Sequence, residues 1–195
     1  MIYEYTINGL KVQTGDILCL AFRSNPQNHP VNHWRLLGLL IPGEVDHVAV
    51  YVGPQGRCVE SAYRGVYEFH LGGDRWMPKK MYKHRGRFKD DFVGVAYPLH
   101  GRGFSVPEEN HIRKEVAKFC LAQIDKSYNL NLLNPDSEKS FYCSQLAYKA
   151  YLPHGINLNT SHGVPHIIGS QRIVFPNEIW RGCHHLRGHQ HVADA

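Results

Sequence analysis

Phe141 to Tyr151 reads FYCSQLAYKAY and places one cysteine at the start of a predicted helix. Apolar residues follow Cys143 at spacings of three, four, seven and eight, so the cysteine lies on the inward face of that helix. Ser140 is the predicted N-cap. A thiol in the first turn lies beside unpaired backbone N–H groups and the positive end of the helix dipole, which both favour the thiolate. Cys143 is therefore a candidate nucleophile, although a free cysteine here also fits a small buried side chain.

The whole chain has the composition of a globular protein. It has 195 residues, of which 43% are hydrophobic and 20% are charged, and this length is sufficient for a proper core. We expect residues 1–195 to form a single domain, with a disordered tail at 184–195. Five cysteines without paired spacing argue against a disulfide framework and leave room for a reactive thiol.

The chain lacks the sequence features of a membrane-spanning or signal-bearing protein. Its first residues, MIYEYTI, have neither the basic nor the apolar region of a secretory signal, so we expect synthesis in the cytoplasm, with leaderless export left open. Val31 to Ile41 is apolar but too short to span a bilayer. This segment fits either a core helix or a flap over a cleft that contacts an apolar substrate.

Basic residues are concentrated between Arg75 and Lys89. The formal net charge is +5, and seven Lys and Arg residues lie in this short segment. Clustered positive charge favours an anionic polymer such as cell wall, or an anionic membrane surface, and it also fits a solvated loop. No helix-turn-helix, zinc-finger or RNA-binding signature accompanies the segment, so we expect no nucleic-acid partner.

A valine-rich strand is predicted well upstream of the cysteine helix. Residues 45–53 read VDHVAVYVG, and the alternation places His47, Ala49 and Tyr51 on one face. A turn at 54–56 leads to a return strand, which carries Glu60. The other predicted elements are strands at 17–22, 57–63, 65–71 and 91–99, a loop at 72–90 and a helix at 106–124.

Cys143, His47 and Glu60 together have the side-chain chemistry of a thiol hydrolase. Such a site needs a thiolate, an imidazole that holds it, and a polar group that orients the imidazole. His47 projects rigidly from a sheet on which the helix of Cys143 must pack, and Glu60 is well placed across the hairpin. Taken singly, His47 also fits a satisfied core histidine and Glu60 an exposed strand carboxylate.

The sequences around these residues resemble the circularly permuted branch of the NlpC-type papain-like superfamily, and most closely the YiiX-like enzymes. The resemblance runs through most of the chain, with the matching segments in the family's order. These segments are TGDI at 14–17, DHVAVYVG at 46–53, CVES at 58–61, RGV at 64–66, DKSYN at 125–129, FYCS at 141–144 and FPNEI at 175–179.

This resemblance implies an α+β papain-like fold, with a small antiparallel sheet or half-barrel and the nucleophile helix packed against it. It also implies a cysteine peptidase or amidase that works through an acyl-thioester without a metal or organic cofactor. Cys143 would be the nucleophile, His47 the general base and acid, and Glu60 the orienting group. The residues expected at the oxyanion or the substrate are Tyr142, Ser144 and Tyr128.

The expected substrate is an amide bond in peptidoglycan peptides, which leaves open a role as an exported antibacterial effector. The alternatives are a lipid acyl hydrolase or acyltransferase with the same triad, and a non-catalytic binding module of the same fold. Three residues depart from the family pattern and leave the substrate class open: Gln145 stands for the glutamate of "YCSE", and Asp125 and Ser127 stand for the glycine and proline of "GKPYN".

The C-terminal histidines raise the question of a metal site. Cys183, His184, His185, His189 and His191 lie close together in the sequence. Their spacing matches no closed zinc site, so no metal is predicted. The sequence leaves the oligomeric state open.

Overall fold

The computed structural model describes residues 1–22, 43–86, 89–162 and 172–188. Its strands are β1 (Glu4–Ile7), β2 (Leu10–Gln13), β3 (Ile17–Ala21), β4 (His47–Gly53), β5 (Arg57–Ala62), β6 (Gly65–His70), β7 (Asp91–Tyr97), β8 (Ser127–Tyr128), β9 (Ser140–Phe141) and β10 (His184–Arg187). Its helices are α1 (Pro78–Arg85), α2 (Val106–Ala122), α3 (Cys143–Tyr151) and α4 (Pro176–Gly182), with 3-10 turns at Pro54–Gly56 and Leu152–His154.

Six strands form one antiparallel sheet in the order β10-β7-β3-β4-β5-β6. Strand β4 lies near the centre, where Val50 is opposite Ile17 on β3 and Val59 on β5. Within the described residues the sheet keeps two edges, β10 and β6, and forms no closed barrel. Strands β1 and β2 form a separate hairpin, and β8 and β9 form a short parallel pair.

The two faces of the sheet bury different cores, because successive side chains of a strand point to opposite sides. Helices α2, α3 and α4 cover one face, whose core includes Ile17, Val48, Val50, Val59, Val116, Leu146 and Trp180. The β1–β2 hairpin and α1 contribute to the core of the other face, which includes Ile7, Val12, Leu18, Ala49, Tyr51, Phe69 and Met81. The alternation that predicts β4 is the alternation that separates these two cores.

This architecture confirms the predicted fold, a mostly antiparallel sheet with the helix of Cys143 packed against it. The strands predicted at 45–53, 57–63, 65–71 and 91–99 are β4, β5, β6 and β7. Each is a residue or two shorter than predicted. None of the helices in the described ranges is both long and apolar enough to cross a bilayer.

Several local expectations differ from the structure. Residues 72–90, predicted as a loop, contain α1, which begins at Pro78 and ends before Gly86, a residue with φ 71°. His184–Arg187, assigned to a disordered tail, form β10 on β7, because backbone pairing does not depend on the side chains. Ser140 is not the N-cap of α3, since it belongs to β9 and the chain stays extended through Tyr142. The segment Val31–Ile41 lies outside the described residues.

Candidate active site

Cys143 is the first residue of α3, and its side chain points into the core with 7% of the residue exposed. The extended chain of β9 delivers it there: Tyr128 of β8 pairs with Phe141, and Ser61 Oγ donates a 2.5 Å hydrogen bond to the Phe141 carbonyl oxygen. Strand β5 therefore fixes the backbone two residues before the thiol.

The start of α3 is closed by a side chain inside the helix. Gln145 Oε1 accepts a hydrogen bond of 3.1 Å from the backbone N–H of Tyr142, the residue in the N-cap position. This bond satisfies one N–H group just outside the helix and leaves the first-turn N–H groups of α3 beside the thiol. Those groups and the helix dipole favour negative charge at Cys143.

His47 lies between Cys143 and Glu60. It is the first residue of β4, and its Nε2 lies 2.8 Å from Oε2 of Glu60. The same ring lies close enough to the Cys143 thiol for that group to raise the pKa of His47. Because Glu60 occupies Nε2, the nitrogen that remains for the thiol is Nδ1. The arrangement is a thiol, an imidazole and a carboxylate in a row.

His47 and Cys143 do not come together in the predicted way, with the helix of Cys143 packed on the sheet face from which His47 projects. Helix α3 packs on the face of Val48 and Val50, not on the face that Ala49 and Tyr51 share. The two side chains meet because each lies at the first residue of its element, His47 in β4 and Cys143 in α3. The candidate site is therefore at the end of the central strand and not in the middle of a sheet face.

Glu60 is completely buried and is held by more than the histidine. Arg85 donates two hydrogen bonds to it, from Nε to Oε1 at 2.7 Å and from Nη2 to Oε2 at 2.8 Å. The Tyr67 hydroxyl donates a further bond of 2.7 Å to Oε1. Sequence reasoning missed Arg85 and Tyr67, since Arg85 was counted among the basic residues expected to face a partner.

These contacts determine the protonation states of Glu60 and His47. Burial raises the pKa of Glu60, but Arg85 and His47 outweigh burial and hold it well below its ordinary value. Burial lowers the pKa of His47, but the electrostatic and hydrogen-bond interactions with Cys143 and Glu60 outweigh burial and raise that pKa well above its ordinary value. At neutral pH the carboxylate is ionised and the ring is protonated, and a protonated ring beside a thiol favours the thiolate.

A family described as permuted papain-like amidase enzyme, YaeF/YiiX, C92 family, matches residues 11–171. The chain belongs to this family. No curated protein and no solved structure matches the chain. The matched range includes His47, Glu60 and Cys143, so the three side chains that the fold brings together lie within the amidase part of the chain. Membership supports a cysteine hydrolase at the level of the family.

The other residues expected to contact the oxyanion or the substrate have different surroundings. Tyr142 and Ser144 are buried against the loop before α4: the Tyr142 hydroxyl accepts a 3.1 Å bond from the Val174 N–H, and Ser144 Oγ donates a 2.6 Å bond to the Val174 carbonyl. Tyr128 pairs with Phe141, and burial raises the pKa of its hydroxyl, so that hydroxyl is neutral. Tyr142 and Ser144 therefore anchor the Val174 backbone, and Ser144 Oγ also lies 4.0 Å from the Cys143 sulfur.

The departures from the amidase pattern also have structural partners. Gln145, where the family pattern has glutamate, donates from Nε2 to the carbonyl oxygens of Pro135 at 3.0 Å and Ser137 at 3.1 Å. A carboxylate has no N–H group for these bonds. Asp125, three residues after the end of α2, adopts φ 73°, a conformation that favours glycine. These changes shape the connector 125–139 and leave the row of three side chains unchanged.

The C-terminal histidines make ring contacts where the sequence raised the question of a metal. Within the described residues, no group of three or more His, Cys, Asp or Glu side chains is arranged to hold an ion. His184 stacks on His100 with ring centroids 3.9 Å apart, and His185 lies 4.0 Å from the Trp180 ring. These two histidines therefore pack against neighbouring rings, while His189 and His191 lie outside the described residues.

Proposed function

We propose that this chain is a cysteine amidase in which Cys143, His47 and Glu60 act as nucleophile, acid–base and orienting group. The observation that carries the proposal is the position of His47, which bonds to a buried, ionised carboxylate and interacts electrostatically with the thiol. In this arrangement the proton that leaves the thiol when the nucleophile forms is held on the adjacent ring.

The reaction proceeds in two halves. The Cys143 thiolate bonds to the amide carbonyl carbon, and the negative charge on the carbonyl oxygen faces the backbone N–H groups at the start of α3. When the C–N bond breaks, His47 donates its proton to the leaving amine. The neutral ring then takes a proton from a water molecule while the water oxygen attacks the thioester carbonyl carbon. Breakage of the C–S bond returns the thiolate beside a protonated His47.

Alkylation with iodoacetamide tests this proposal without a substrate. Cys183 is the internal control, because it is partly exposed and burial raises the pKa of its thiol to about 11. We expect Cys143 to react at least about 100-fold faster than Cys183 near pH 6.5, and His47→Gln to remove most of that advantage. Equal rates for the two thiols would leave the non-catalytic binding module as the better description.

For the substrate we propose an amide bond in cell-wall peptides, which an exported antibacterial effector would meet outside the cytoplasm. Mass spectrometry of purified muropeptides after incubation with the protein tests this assignment, with Cys143→Ala as the inactive control. Cleavage that persists in Cys143→Ala, or muropeptides that stay intact while Cys143 is reactive, would reject the wall-peptide assignment.

A second candidate is the hydrolysis or transfer of a lipid acyl chain. It is favoured by Leu130 and Leu133, which are 74% and 55% exposed on the connector that follows Tyr128. The apolar stretch Trp34–Ile41, which would also serve this function, lies outside the described residues. With phospholipid vesicles as substrate, Leu130→Ser with Leu133→Ser would reduce acyl release and Leu152→Ser, at an exposed leucine beyond the far end of α3, would not.

The basic segment supports a separate proposal about partners. Lys79, Lys80 and Lys83 are exposed on α1, and we propose that they contact an anionic wall polymer. Lys79→Gln with Lys83→Gln would weaken co-sedimentation with anionic wall polymer at low salt. The matched pair Lys114→Gln with Lys118→Gln, at the same spacing on α2, would not. If Lys79→Gln with Lys83→Gln left polymer binding unchanged but weakened binding to anionic vesicles, the proposal would be redirected to a membrane surface.

A further inference from the structure

Cys143 and His47 alone do not compensate the desolvation cost of the buried Glu60 carboxylate. A carboxylate without exposure to water costs several kcal/mol of desolvation unless its oxygens are paired. His47 reaches only Oε2, and the Tyr67 hydroxyl reaches only Oε1. The compensating positive charge comes from Arg85, whose planar fork binds both oxygens.

Arg85 is itself buried, with 2% of the residue exposed, and it holds a second carboxylate. Its Nη1 and Nη2 donate to Oδ1 and Oδ2 of Asp90 at 2.9 and 2.7 Å. The guanidinium lies 4.8 Å from the ring centre of Phe69 and 5.0 Å from that of Trp76. Trp76 in turn donates from Nε1 to the Asp90 carbonyl oxygen at 3.0 Å. Two aromatic rings and two carboxylates therefore fix the orientation of one side chain.

The charges of this group do not balance without the histidine. Among the described side chains of this group, Glu60 and Asp90 carry two negative charges and Arg85 carries one positive charge, which leaves one net negative charge in a buried place. Protonation of His47 supplies the missing positive charge. If Asp90 were absent, Arg85 alone would neutralise Glu60 and the attraction for a protonated ring would be weaker.

We infer that Arg85 and Asp90 are positioning residues of the active site: the Arg85 fork orients Glu60, and Asp90 keeps a net negative charge behind the ring of His47. This inference rests on the proposed function of the Cys143 row and assigns roles to two residues outside that row. A lysine could not replace Arg85, because an ammonium group has no planar fork that binds two carboxylates at once.

The charged and titratable groups around the ring come from each packed element. The ring of His47 faces Cys143 from α3 and Glu60 from β5. Glu60 faces Arg85 from α1 and the neutral Tyr67 from β6, whose pKa burial and Glu60 raise. Cys58 on β5 also senses Glu60, and burial raises the pKa of its thiol well above the ordinary value. Asp90 is the group whose charge can be removed without touching the row.

Asp90→Asn tests the charge role through the titration of His47. NMR titration of the imidazole, assigned with His47→Gln, would show a pKa lower by about one unit in Asp90→Asn than in the unchanged protein. The matched control is Glu68→Gln, which removes an arginine-paired carboxylate of β6 that Arg57 holds at the surface. A purely structural role of Asp90 would lower the melting temperature and leave this pKa unchanged, which would overturn the inference.

Arg85→Lys tests the orienting role and remains informative if Asp90→Asn does not fold. It keeps the charge and loses the fork, so alkylation of Cys143 should slow by about tenfold while that of Cys183 does not change. A wild-type alkylation rate in folded Arg85→Lys would overturn the inference. These outcomes are distinct from failure of the proposed function, in which Cys143 of the unchanged protein would already react no faster than Cys183.

Discussion

Gln145 shows how one amide fixes the start of the nucleophile helix. It makes four hydrogen bonds while completely buried: it accepts from the Tyr142 N–H and from Asn129, and it donates to the carbonyl oxygens of Pro135 and Ser137. Both hydrogens of the NH2 group are donated, so an oxygen cannot take the place of Nε2. Gln145 departs from the family pattern, and it is nevertheless as constrained as the residues that match the pattern.

Gln145→Glu should destabilise the protein more as the pH rises. The buried carboxyl would face two carbonyl oxygens, so its pKa in the folded state would lie above its unfolded value. Stability would then be highest at low pH and fall as the pH passes through that raised pKa, with a loss of about 3 kcal/mol at pH 8. Urea unfolding at pH 5 and pH 8 measures this. Gln55→Glu, the same change on an exposed turn, should cost less than about 0.5 kcal/mol.

Glu60 gives the opposite pH dependence. Its folded pKa is depressed, so its contribution to stability is present above the unfolded pKa of about 4.3 and is lost as the pH falls toward the folded value. Glu60→Gln should cost about 3–5 kcal/mol at pH 7, because Arg85 loses an ionised partner in a buried place. Its stability should also change less between pH 6 and pH 3 than that of the unchanged protein. Denaturant titrations across that range would refute the assignment if the two slopes were equal.

Arg85 marks the limit of sequence reasoning at the scale of single residues. His47 and Glu60 could be singled out because polar residues stand out within valine-rich strands. Arg85 could not, because a basic residue among six others in a short segment is normally solvated. Its burial depends on Phe69 and Trp76, which come from outside α1, and on Asp90, which follows it by five residues. Nothing in the local pattern encodes that combination.

Among the elements, strands β3 to β7 were predictable from the sequence, and α1 and β10 were not. Strand β4 alternates between two buried cores and has a composition that only a strand fits. Helix α1 buries only Met81 and Arg85, so its sequence lacks an apolar face. Strand β10 is mostly exposed and is held by backbone pairing with β7, which leaves no side-chain pattern to detect. Elements with few buried apolar residues are the ones that sequence periodicity misses.

The turn between β5 and β6 controls the connector that leads to the nucleophile. Gly65 has φ 93°, and a Cβ at this position would lie 2.2 Å from the Lys126 carbonyl oxygen. That oxygen accepts the Val66 N–H at 2.8 Å, and Tyr128, which pairs with Phe141, follows two residues later. The close approach of two backbones therefore sets the position of β8 relative to the sheet.

Gly65→Ala should separate the effect of this contact from backbone strain alone. Gly101 has φ 72°, and a Cβ there would meet no atom within 4 Å, so Gly101→Ala carries the strain without the clash. We expect Gly101→Ala to cost about 1 kcal/mol and Gly65→Ala about 3 kcal/mol or more. Because the clash displaces β8, Gly65→Ala should also slow alkylation of Cys143. Equal losses of stability in the two variants would show that the Lys126 backbone moves away from the added Cβ at little cost in free energy.

At the scale of the molecule, the candidate site and the C-terminal strand occupy opposite parts of one sheet. Strands β4 and β5 carry His47 and Glu60, whereas β10 is the edge strand, with β7 and β3 between it and β4. Besides its backbone pairing, β10 places Arg187 against Glu44 and His185 against the Trp180 ring. The stability that β10 contributes can therefore be removed without touching the residues of the site.

Truncation after Cys183 should lower stability while Cys143 keeps its reactivity. Removal of β10 exposes the backbone of β7 along Gly94 to Tyr97, and an unpaired edge strand promotes association between copies. We expect a loss of about 2–4 kcal/mol in urea unfolding and concentration-dependent association in sedimentation velocity. Truncation after Gly188, which keeps every described contact of the strand, is the control. Because the site depends on β4, β5 and α3, iodoacetamide should alkylate Cys143 at the same rate in folded protein of both lengths. A slower rate in the shorter chain alone would mean that loss of the edge strand disturbs the site through the sheet.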